Sequence, residues 1–522
     1  MHIMYRKSAS GEYAVAANSA RIDGKVVKTD SIYLGKVIDR EKRIFENRER
    51  GIFTFDPETA SFGKVDLAVV PKKNRGRKMG SVDFGDAYVL DRYMEGMGIY
   101  QCIEECLCPN TDTFKALLMF YILTDSPHSY AQSWYEGSYA SILFPNADMD
   151  DRRITEFLKE MGNSDHHRFF FDSYIPRLLE DCDSKAFIID SAGAPNSVHM
   201  APTALNNHNG KISMEVRIIL VCRIEDRMPL FFRYVPGNLV DSSTLIRTID
   251  QLDCMNIEIS RILIDAGYCT LKNMEDLLDS HINFITRLRP NYEMYKDMVK
   301  LHARELDGTE KILYKDRFVK VLSRQKVLTG THHRVWLHLI RDENMKDAQD
   351  KTSYRNWQEG TISIEERNRQ YQVNGLFILI SSYQMFREDI LPTYFERGGI
   401  EQLIDTGRNT SRFGDVGVHS ESVFAGKLLV EFTALAVNQS MQNSFKARKE
   451  ELSSKKRKNK QKISGINMCP TQALFTLRNQ KCDVFDNTIL PMEKTAAIND
   501  CYVLFNCSSP RRIDLAGNQD TM

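Results

Sequence analysis

Short apolar runs that alternate with helical stretches from about residue 166 constrain the fold of this chain more than any other feature. Residues 186–189 and 261–264 are apolar runs of strand length, whereas 241–252 has the apolar spacing of a helix. Between them, 212–224 and 230–235 are strand-like and close enough along the chain to pair antiparallel. This order predicts an α/β fold in which helices pack on a mixed sheet.

The two apolar runs each end in an aspartate. Asp190 follows 186–189 and Asp265 follows 261–264, and small residues come after both. Carboxylates at the ends of neighbouring strands can converge, and Mg²⁺ prefers oxygen ligands. Two such ions about 3.5–4 Å apart can activate water and stabilise the leaving oxygen of a phosphodiester. An aspartate after a strand also caps turns and helices, so both interpretations stay open here.

A polar helix face near residue 394 gives a third acid. Tyr394, Arg397, Glu401 and Arg408 fall within a sector of about 60° if they share one helix. The carboxylate of Glu401 could complete a metal site, while the guanidinium groups bind phosphate beside it. Asp405 lies near the same face and is the rival acid. A solvated face with helix-spaced ion pairs would show the same spacing.

The net charge gives no indication of a nucleic-acid partner, because Lys+Arg and Asp+Glu both number 70. A DNA-binding surface must therefore come from local clusters, and 72–78 and 446–462 are the basic segments that could supply it. Either could equally be an ordinary solvated segment, and we expect 446–462 to be flexible. No GxxxxGK[ST] loop is present, which argues against a nucleotide cofactor.

The apolar runs and the cysteines bear on location. The longest apolar runs are far too short to span a bilayer, and no apolar leader opens the chain. Eleven cysteines without a paired framework fit reduced thiols. We expect a soluble protein of the bacterial or archaeal cytoplasm, nucleoid-associated in action, without a membrane partner.

The signature residues resemble those of a known family. The spacing Tyr394-x2-Arg397-x3-Glu401-x6-Arg408 is similar to the Y-x2-R-x3-E-x6-K signature of insertion-sequence-4-like DDE transposases. The tetrapeptide from Asp265, Asp-Ala-Gly-Tyr, resembles the second acidic motif of that family. Arg408 departs from the pattern, because the family usually has lysine there and the two cations differ in shape.

The resemblance extends over roughly residues 30–440. Asp190 stands where the first acid of the family should be. Gly237-Asn, followed by Asp241-Ser-Ser-Thr-Leu, resembles a stretch that such proteins carry between the two aspartates. Tyr33-Leu-Gly-Lys-Val resembles N-terminal segments of related transposases.

The resemblance implies a ribonuclease-H-like catalytic core with a mainly β insertion between the second aspartate and the glutamate. It also implies a mixed N-terminal DNA-binding region, and we expect a C-terminal helical tail. We divide the chain accordingly into an N-terminal region (1–165), a first core part (166–290), a β-rich insertion (291–370), a second core part (371–445) and a basic linker with the tail (446–522).

By the same resemblance, particular residues receive roles. Asp190, Asp265 and Glu401 would form the catalytic triad that binds Mg²⁺ or Mn²⁺. The residues that would grip DNA near the scissile phosphate are Tyr394, Arg397 and Arg408.

An aromatic residue would also contact DNA if this chain cuts through a hairpin, as some members of the family do. Trp336 in the insertion is the first candidate to stack on a flipped base, and Trp357 is the second. A tryptophan packed in the core of a β-rich segment is the alternative for both.

The implied activity is cut-and-paste transposition of an insertion sequence. Activated water cleaves the strand at the transposon end, and the freed 3′-hydroxyl joins target DNA. The implied partners are double-stranded DNA, as transposon ends and target, and a second copy of the chain in a homodimer. Two alternatives remain: a decayed or domesticated transposase that only binds DNA, and a metal-dependent nuclease without strand transfer.

Overall fold

The computed structural model separates the chain into two compact units, Met1–Gly80 and Ser81–Met522. The basic cluster at 72–78 lies outside the described residues, so its predicted role is not addressed. The residues that the structure describes are 1–8, 11–22, 25–65, 80–180, 185–196, 198, 200–208, 211–410, 412–459, 467–485 and 488–515.

The first unit is a six-stranded antiparallel sheet in which each strand pairs with the next along the chain. Its small core contains Phe45, Phe53 and Phe55. Gly35 lies at a bulge with φ of +90°, and a Cβ there would come within 2.1 Å of the carbonyl oxygen of Glu46, so only glycine fits. The strands are β1 His2–Ser8, β2 Gly11–Ile22, β3 Lys25–Asp39, β4 Ile44–Asn47, β5 Gly51–Asp56 and β6 Ser61–Lys64.

The second unit opens with a short strand and a layer of helices. The most buried helix of this layer is α3, in which nearly every side chain from Phe114 to Leu123 is covered. The elements are β7 Ser81–Asp83, α1 Gly85–Gly96, α2 Ile99–Glu105, α3 Thr111–Leu123, α4 Ala131–Gly137, α5 Ala140–Leu143, α6 Asp151–Met161 and α7 Ser164–Leu179.

A mixed sheet follows, which confirms the predicted α/β class. β11, β10 and β8 are antiparallel neighbours, whereas β12 and β13 run parallel to β8. The predicted antiparallel pairing of 212–224 with 230–235 is confirmed by β10 and β11. The elements are β8 Ala186–Pro195, β9 Ala204–His208, β10 Lys211–Arg223, β11 Pro229–Pro236, α8 Asp241–Cys254, β12 Arg261–Ile264, α9 Leu271–Asp279 and β13 Asn283–Leu288.

Residues 291–370 contain three long or medium helices, so the prediction of a mainly β segment is wrong there. Sequence analysis missed α11 and α12 because few of their side chains are buried. No residue of α12 and only Ser353 of α11 is buried, so neither helix shows an apolar stripe. The elements are α10 Glu293–Asp307, β14 Lys311–Tyr314, β15 Arg317–Val327, β16 Arg334–Asp342, α11 Glu343–Gln358 and α12 Ile364–Val373.

The three strands of this segment extend the same sheet. β16 pairs with β17, Leu376–Ser381, and β17 pairs in turn with β13. The sheet thus runs in the order β11-β10-β8-β12-β13-β17-β16-β15-β14, and β9 pairs with β10.

Three helices complete this part of the chain: α13 Arg387–Phe395, α14 Gly398–Thr410 and α15 Glu421–Asn459. The signature was predicted on one continuous helix, but the structure ends α13 before Arg397 and begins α14 after it. The predicted flexible run from residue 446 is also wrong as far as Asn459, because α15 continues through it. None of the described helices is both long and apolar enough to cross a membrane.

The helix α15 crosses α6 with the two backbones in contact. A Cβ on Gly426 would come within 2.0 Å of the carbonyl oxygen of Leu158, and one on Gly162 within 1.9 Å of that of Ser422. One turn beyond this crossing, Glu431 is fully buried and accepts a hydrogen bond from the backbone amide of Gly414 at 3.0 Å. Burial raises the pKa of Glu431 to about 8.

The described C-terminal residues form two helices, as predicted for this tail, but also three short strands that were not predicted. β18 pairs with β7 from the start of this unit, in the sheet order β20-β19-β18-β7. Strand partners so far apart in sequence leave no local pattern, which is why sequence analysis missed them. The elements are α16 Pro470–Leu477, β18 Lys481–Phe485, β19 Thr488–Pro491, α17 Ala496–Leu504 and β20 Ile513–Asp514.

Candidate active site

The parallel strands β8 and β12 bring the two predicted aspartates side by side. Ile189 pairs with Ile264, so Asp190 and Asp265 are the next residues on neighbouring strands. Asp265 directly follows β12, as predicted. Asp190 lies inside β8 rather than at its end, because the small residues after it continue the pairing with β10.

The side chain of Arg397 joins all three predicted acids. Its Nη1 lies 3.1 Å from Oδ2 of Asp190, and its Nη2 lies 3.6 Å from Oδ1 of Asp265 and 2.7 Å from Oε1 of Glu401. Glu401 belongs to the first turn of α14, and Arg397 to the junction just before it. The break between α13 and α14 therefore aims a guanidinium and a carboxylate at the same strands.

The three carboxylates differ in environment. The side chain of Asp190 is 14% exposed, whereas those of Asp265 and Glu401 are 42% and 57% exposed. Burial raises the pKa of Asp190 to about 7; Arg397 acts in the opposite sense, and the charges of Asp265 and Glu401 raise it further. Near neutral pH, Asp190 is thus poised between its neutral and its charged form.

The donor set suits a divalent metal ion of the Mg²⁺ or Mn²⁺ kind, because it consists of carboxylate oxygens from two strands and one helix. Among the described residues, however, no group of three or more acidic, histidine or cysteine side chains is arranged so that it could hold an ion. The cation among the three acids is the guanidinium of Arg397. A metal ion bound by all three would require this side chain to withdraw.

The loop that follows Asp265 is fixed by two residues of or next to β13 that sequence analysis did not identify. Arg289 donates from Nε to the carbonyl oxygen of Ala266 and from Nη2 to that of Gly267, both at 2.8 Å. Thr286 donates from Oγ1 to the carbonyl oxygen of Asp265 at 3.2 Å. No sequence signal marked them, because they bind backbone oxygens that any residue carries.

The other predicted DNA-binding residues of the signature lie on either side of Arg397. Tyr394 is buried in α13, and its ring centroid lies 5.4 Å from that of Phe395; burial raises the pKa of its hydroxyl. Arg408 is exposed and donates from Nη2 to the carbonyl oxygen of Gly193 at 2.6 Å. Arg408 therefore contacts β8 three residues beyond Asp190.

The remaining candidates are two tryptophans away from the signature and the rival acid of α14. Trp336 is half-buried in β16, opposite Gln325 and Ser381. Trp357 is half-buried in α11, with the guanidinium carbon of Arg367 4.4 Å from its ring centroid. Asp405, the rival acid, is exposed one turn beyond Glu401.

Comparison with known proteins relates this site to one domain family. A search of the solved structures found six matching chains, among them a piggyBac transposase in a cryo-EM synaptic complex with hairpin DNA. That chain is 14% identical with a TM-score of 0.37, over 71% of this chain and 70% of its own. A search of curated proteins found no match. Residues 182–437 match the family model described as transposase DDE domain, and this range includes Asp190, Asp265 and Glu401. This matched stretch, a little under half of the chain, is therefore similar to a transposase DDE domain.

Proposed function

We propose that this chain is a DDE transposase of the insertion-sequence-4-like type, which cleaves DNA strands and transfers the freed ends to target DNA. The observation that carries the proposal is the convergence of Asp190, Asp265 and Glu401 on one guanidinium within the matched domain. Three acids from two strands and a helix are hard to explain as a solvated surface, because Asp190 is largely buried.

We further propose that the core is ribonuclease-H-like. Two observations support this proposal. In the sheet, the antiparallel strands β11, β10 and β8 continue into the parallel strands β12 and β13. If β9 is not counted, Asp190 lies on the first strand of the core along the chain and Asp265 directly follows the fourth. Residues 291–370 then act as the insertion, with helices as well as strands.

In the proposed reaction, Asp190, Asp265 and Glu401 hold Mg²⁺ or Mn²⁺. The metal, when bound, supplies the acidity that activates a water and stabilises the leaving oxygen. The cationic side chains bind the DNA backbone. Arg397 leaves the carboxylates and binds the scissile phosphate, and Arg408 binds a neighbouring phosphate beside β8. The loop held by Arg289 keeps Asp265 in place while this exchange occurs.

The proposed partners are double-stranded DNA and a second copy of the chain. The N-terminal region 1–165 would bind the transposon ends, and Trp336, or else Trp357, would stack on a flipped base if a hairpin is made. Action in the cytoplasm, at the nucleoid, belongs to the same proposal.

The test is cleavage of a supercoiled plasmid that carries the DNA flanking the gene for this chain. We expect Mg²⁺-dependent strand cleavage by the wild type and none by Asp190→Ala, Asp265→Ala or Glu401→Ala, while all four still shift the DNA in a gel. Asp405→Ala is the matched control, because it removes an exposed acid from the same helix and should leave cleavage intact. Cleavage that survives the three triad substitutions would refute the assignment.

A decayed transposase that only binds DNA is the second candidate, favoured by arginine at position 408 where the resembling family has lysine. In that case the wild type would bind the flanking DNA without cutting it. A joining assay with a pre-cut end separates the transposase from a nuclease, because only the transposase inserts that end into a second DNA.

A further inference from the structure

The segment from Gly237 to Leu245 contains a carboxylate, that of Asp241, which has no part in the reaction proposed above. Asp241 is the first residue of α8, yet its side chain does not cap the helix. Its Oδ1 accepts hydrogen bonds from Oγ of Ser191 and from Nη1 of Arg217, both at 2.5 Å. The carboxylate is therefore directed at the sheet rather than at its own helix.

Asp241 contacts the backbone segments of both predicted catalytic aspartates. Ser191, which bonds to it, is the residue after Asp190. Gly267 lies two residues after Asp265, and a Cβ there would come within 2.9 Å of Oδ2 of Asp241. One carboxylate thus lies beside the segments that follow Asp190 and Asp265.

A buried guanidinium holds this carboxylate in place. The side chain of Arg217, in β10, is only 7% exposed, and its Nη2 lies 3.7 Å from Oε1 of Glu215. Glu215 in turn accepts hydrogen bonds from Ser213, at 3.2 Å, and from Asn206. Because a buried charge without a partner is costly, each member of this network fixes the next.

Two glycines, one in β8 and one just before α8, show how closely the network is packed. A Cβ on Gly237 would come within 2.2 Å of the carbonyl oxygen of Glu215, and one on Gly193 within 2.7 Å of its carboxylate. Gly193 also supplies the carbonyl oxygen that Arg408 binds. The network therefore leaves no room for β8 to shift against β10.

We propose that Asp241, held by Arg217, is a positioning residue that sets the separation of Asp190 and Asp265 and thereby the affinity for the metal ion. The inference rests on the proposed function, because it concerns the same site. Groups bonded directly to metal ligands change metal affinity or activity by about 10–100-fold when they are replaced, and Asp241 acts through the residues beside the ligands, so we expect the lower part of this range.

The test measures Mn²⁺ binding to the full chain by calorimetry, and the Mn²⁺ concentration that gives half-maximal plasmid cleavage. We expect Asp241→Asn to raise both the dissociation constant and the half-maximal concentration about 10-fold or more. The cleavage rate at saturating Mn²⁺ should fall much less. Ser191→Ala should act in the same direction, and Arg217→Lys should retain more affinity than Arg217→Met.

Asp86→Asn is the matched control. Asp86 is 2% exposed and accepts a hydrogen bond from Nε of Arg478 at 3.0 Å, in a pair between α1 and the residue after α16. Its loss disturbs a buried ion pair elsewhere in the same unit, so any general loss of stability appears there too. Metal dependence should stay at the wild-type value.

Two outcomes would overturn the inference. If the wild type neither binds Mn²⁺ nor cleaves, the proposed function fails and this role fails with it. If the wild type does both, but Asp241→Asn and Ser191→Ala keep its metal dependence, only the positioning role is refuted. Should Asp241→Asn not fold, Ser191→Ala and the Arg217 pair decide the question in the same way.

Discussion

Replacing Arg397 by glutamine should make the DNA-free protein bind a divalent metal ion more tightly. The substitution keeps a polar side chain but removes the charge that lies 3.1 Å from Asp190 and 2.7 Å from Glu401. In the wild type, an incoming ion must displace this guanidinium from the carboxylates. In the variant, the ion meets three carboxylates without the competing charge of Arg397.

The size of the effect follows from the burial of the pairs. Two unit charges 4 Å apart attract by about 4 kcal/mol at an effective dielectric constant of 20. The pairs with Asp265 and Glu401 are more than a third exposed, so solvent screening reduces them to roughly 0–1 kcal/mol each. Most of the competition therefore comes from the pair with Asp190.

Part of that attraction is not recovered, because Asp190 without Arg397 holds a proton more tightly. If the remaining competition is about 1.4–2.8 kcal/mol, affinity for Mn²⁺ rises about 10–100-fold. The measurement is calorimetric or spectroscopic titration of the full chain with Mn²⁺ in the absence of DNA. The pH must lie well above 7, because the pKa of Asp190 is about 7 in the wild type and should be higher without Arg397. Cleavage should nevertheless fall, because the phosphate loses its partner.

Arg227→Gln is the control for charge alone. Arg227 is exposed and lies beside the start of α14, where its Nη1 is 3.4 Å from Oε1 of Gln402. It bonds to none of the three acids among the described residues. Equal tightening in both variants would mean that net charge, not displacement, governs binding, and no tightening in Arg397→Gln would refute the competition altogether.

Three further perturbations test the burial described above. Because the pKa of Asp190 is raised to about 7, Mn²⁺ affinity should weaken as the pH falls through that value, and a calorimetric pH series should show a flat profile for Asp190→Asn. The folded-state pKa of Glu431 is also raised, so the stability from its protonated form is lost as the pH rises through about 8; the melting temperature of the wild type should fall over this range, and that of Glu431→Gln should change less. Gly426→Ala forces a methyl group against the backbone of Leu158 and should cost about 1–3 kcal/mol, seen as a melting temperature several degrees lower, whereas Gly96→Ala, whose Cβ meets nothing within 4 Å, should not lower it.

The sequence predicted those parts of the fold that local patterns encode. β12 and Asp265 were found because an apolar run ends in an acid. The helices α11 and α12 were missed because they present almost no apolar face. A helix that is polar all round resembles a loop or exposed strand when only periodicity is read.

The candidate site was predicted in its composition but not in its geometry. The three acids were named, yet the position of Arg397 among them depends on a break between α13 and α14 that the spacing did not reveal. The role of Asp241 depends on the distant residues Ser191 and Arg217. Such contacts follow from the order of strands in the sheet, which no local pattern specifies.

The continuity of the sheet bears on how this protein could be engineered. The segment between α10 and α12 is not a cassette that can be excised, because β16 covers one edge of β17 over six residue pairs, from Trp336–Ser381 to Arg341–Leu376. All six residues of β17 are buried. A shortened chain without β14–β16 would expose this apolar edge to other copies, so the first consequence of the deletion would be aggregation rather than a smaller working enzyme.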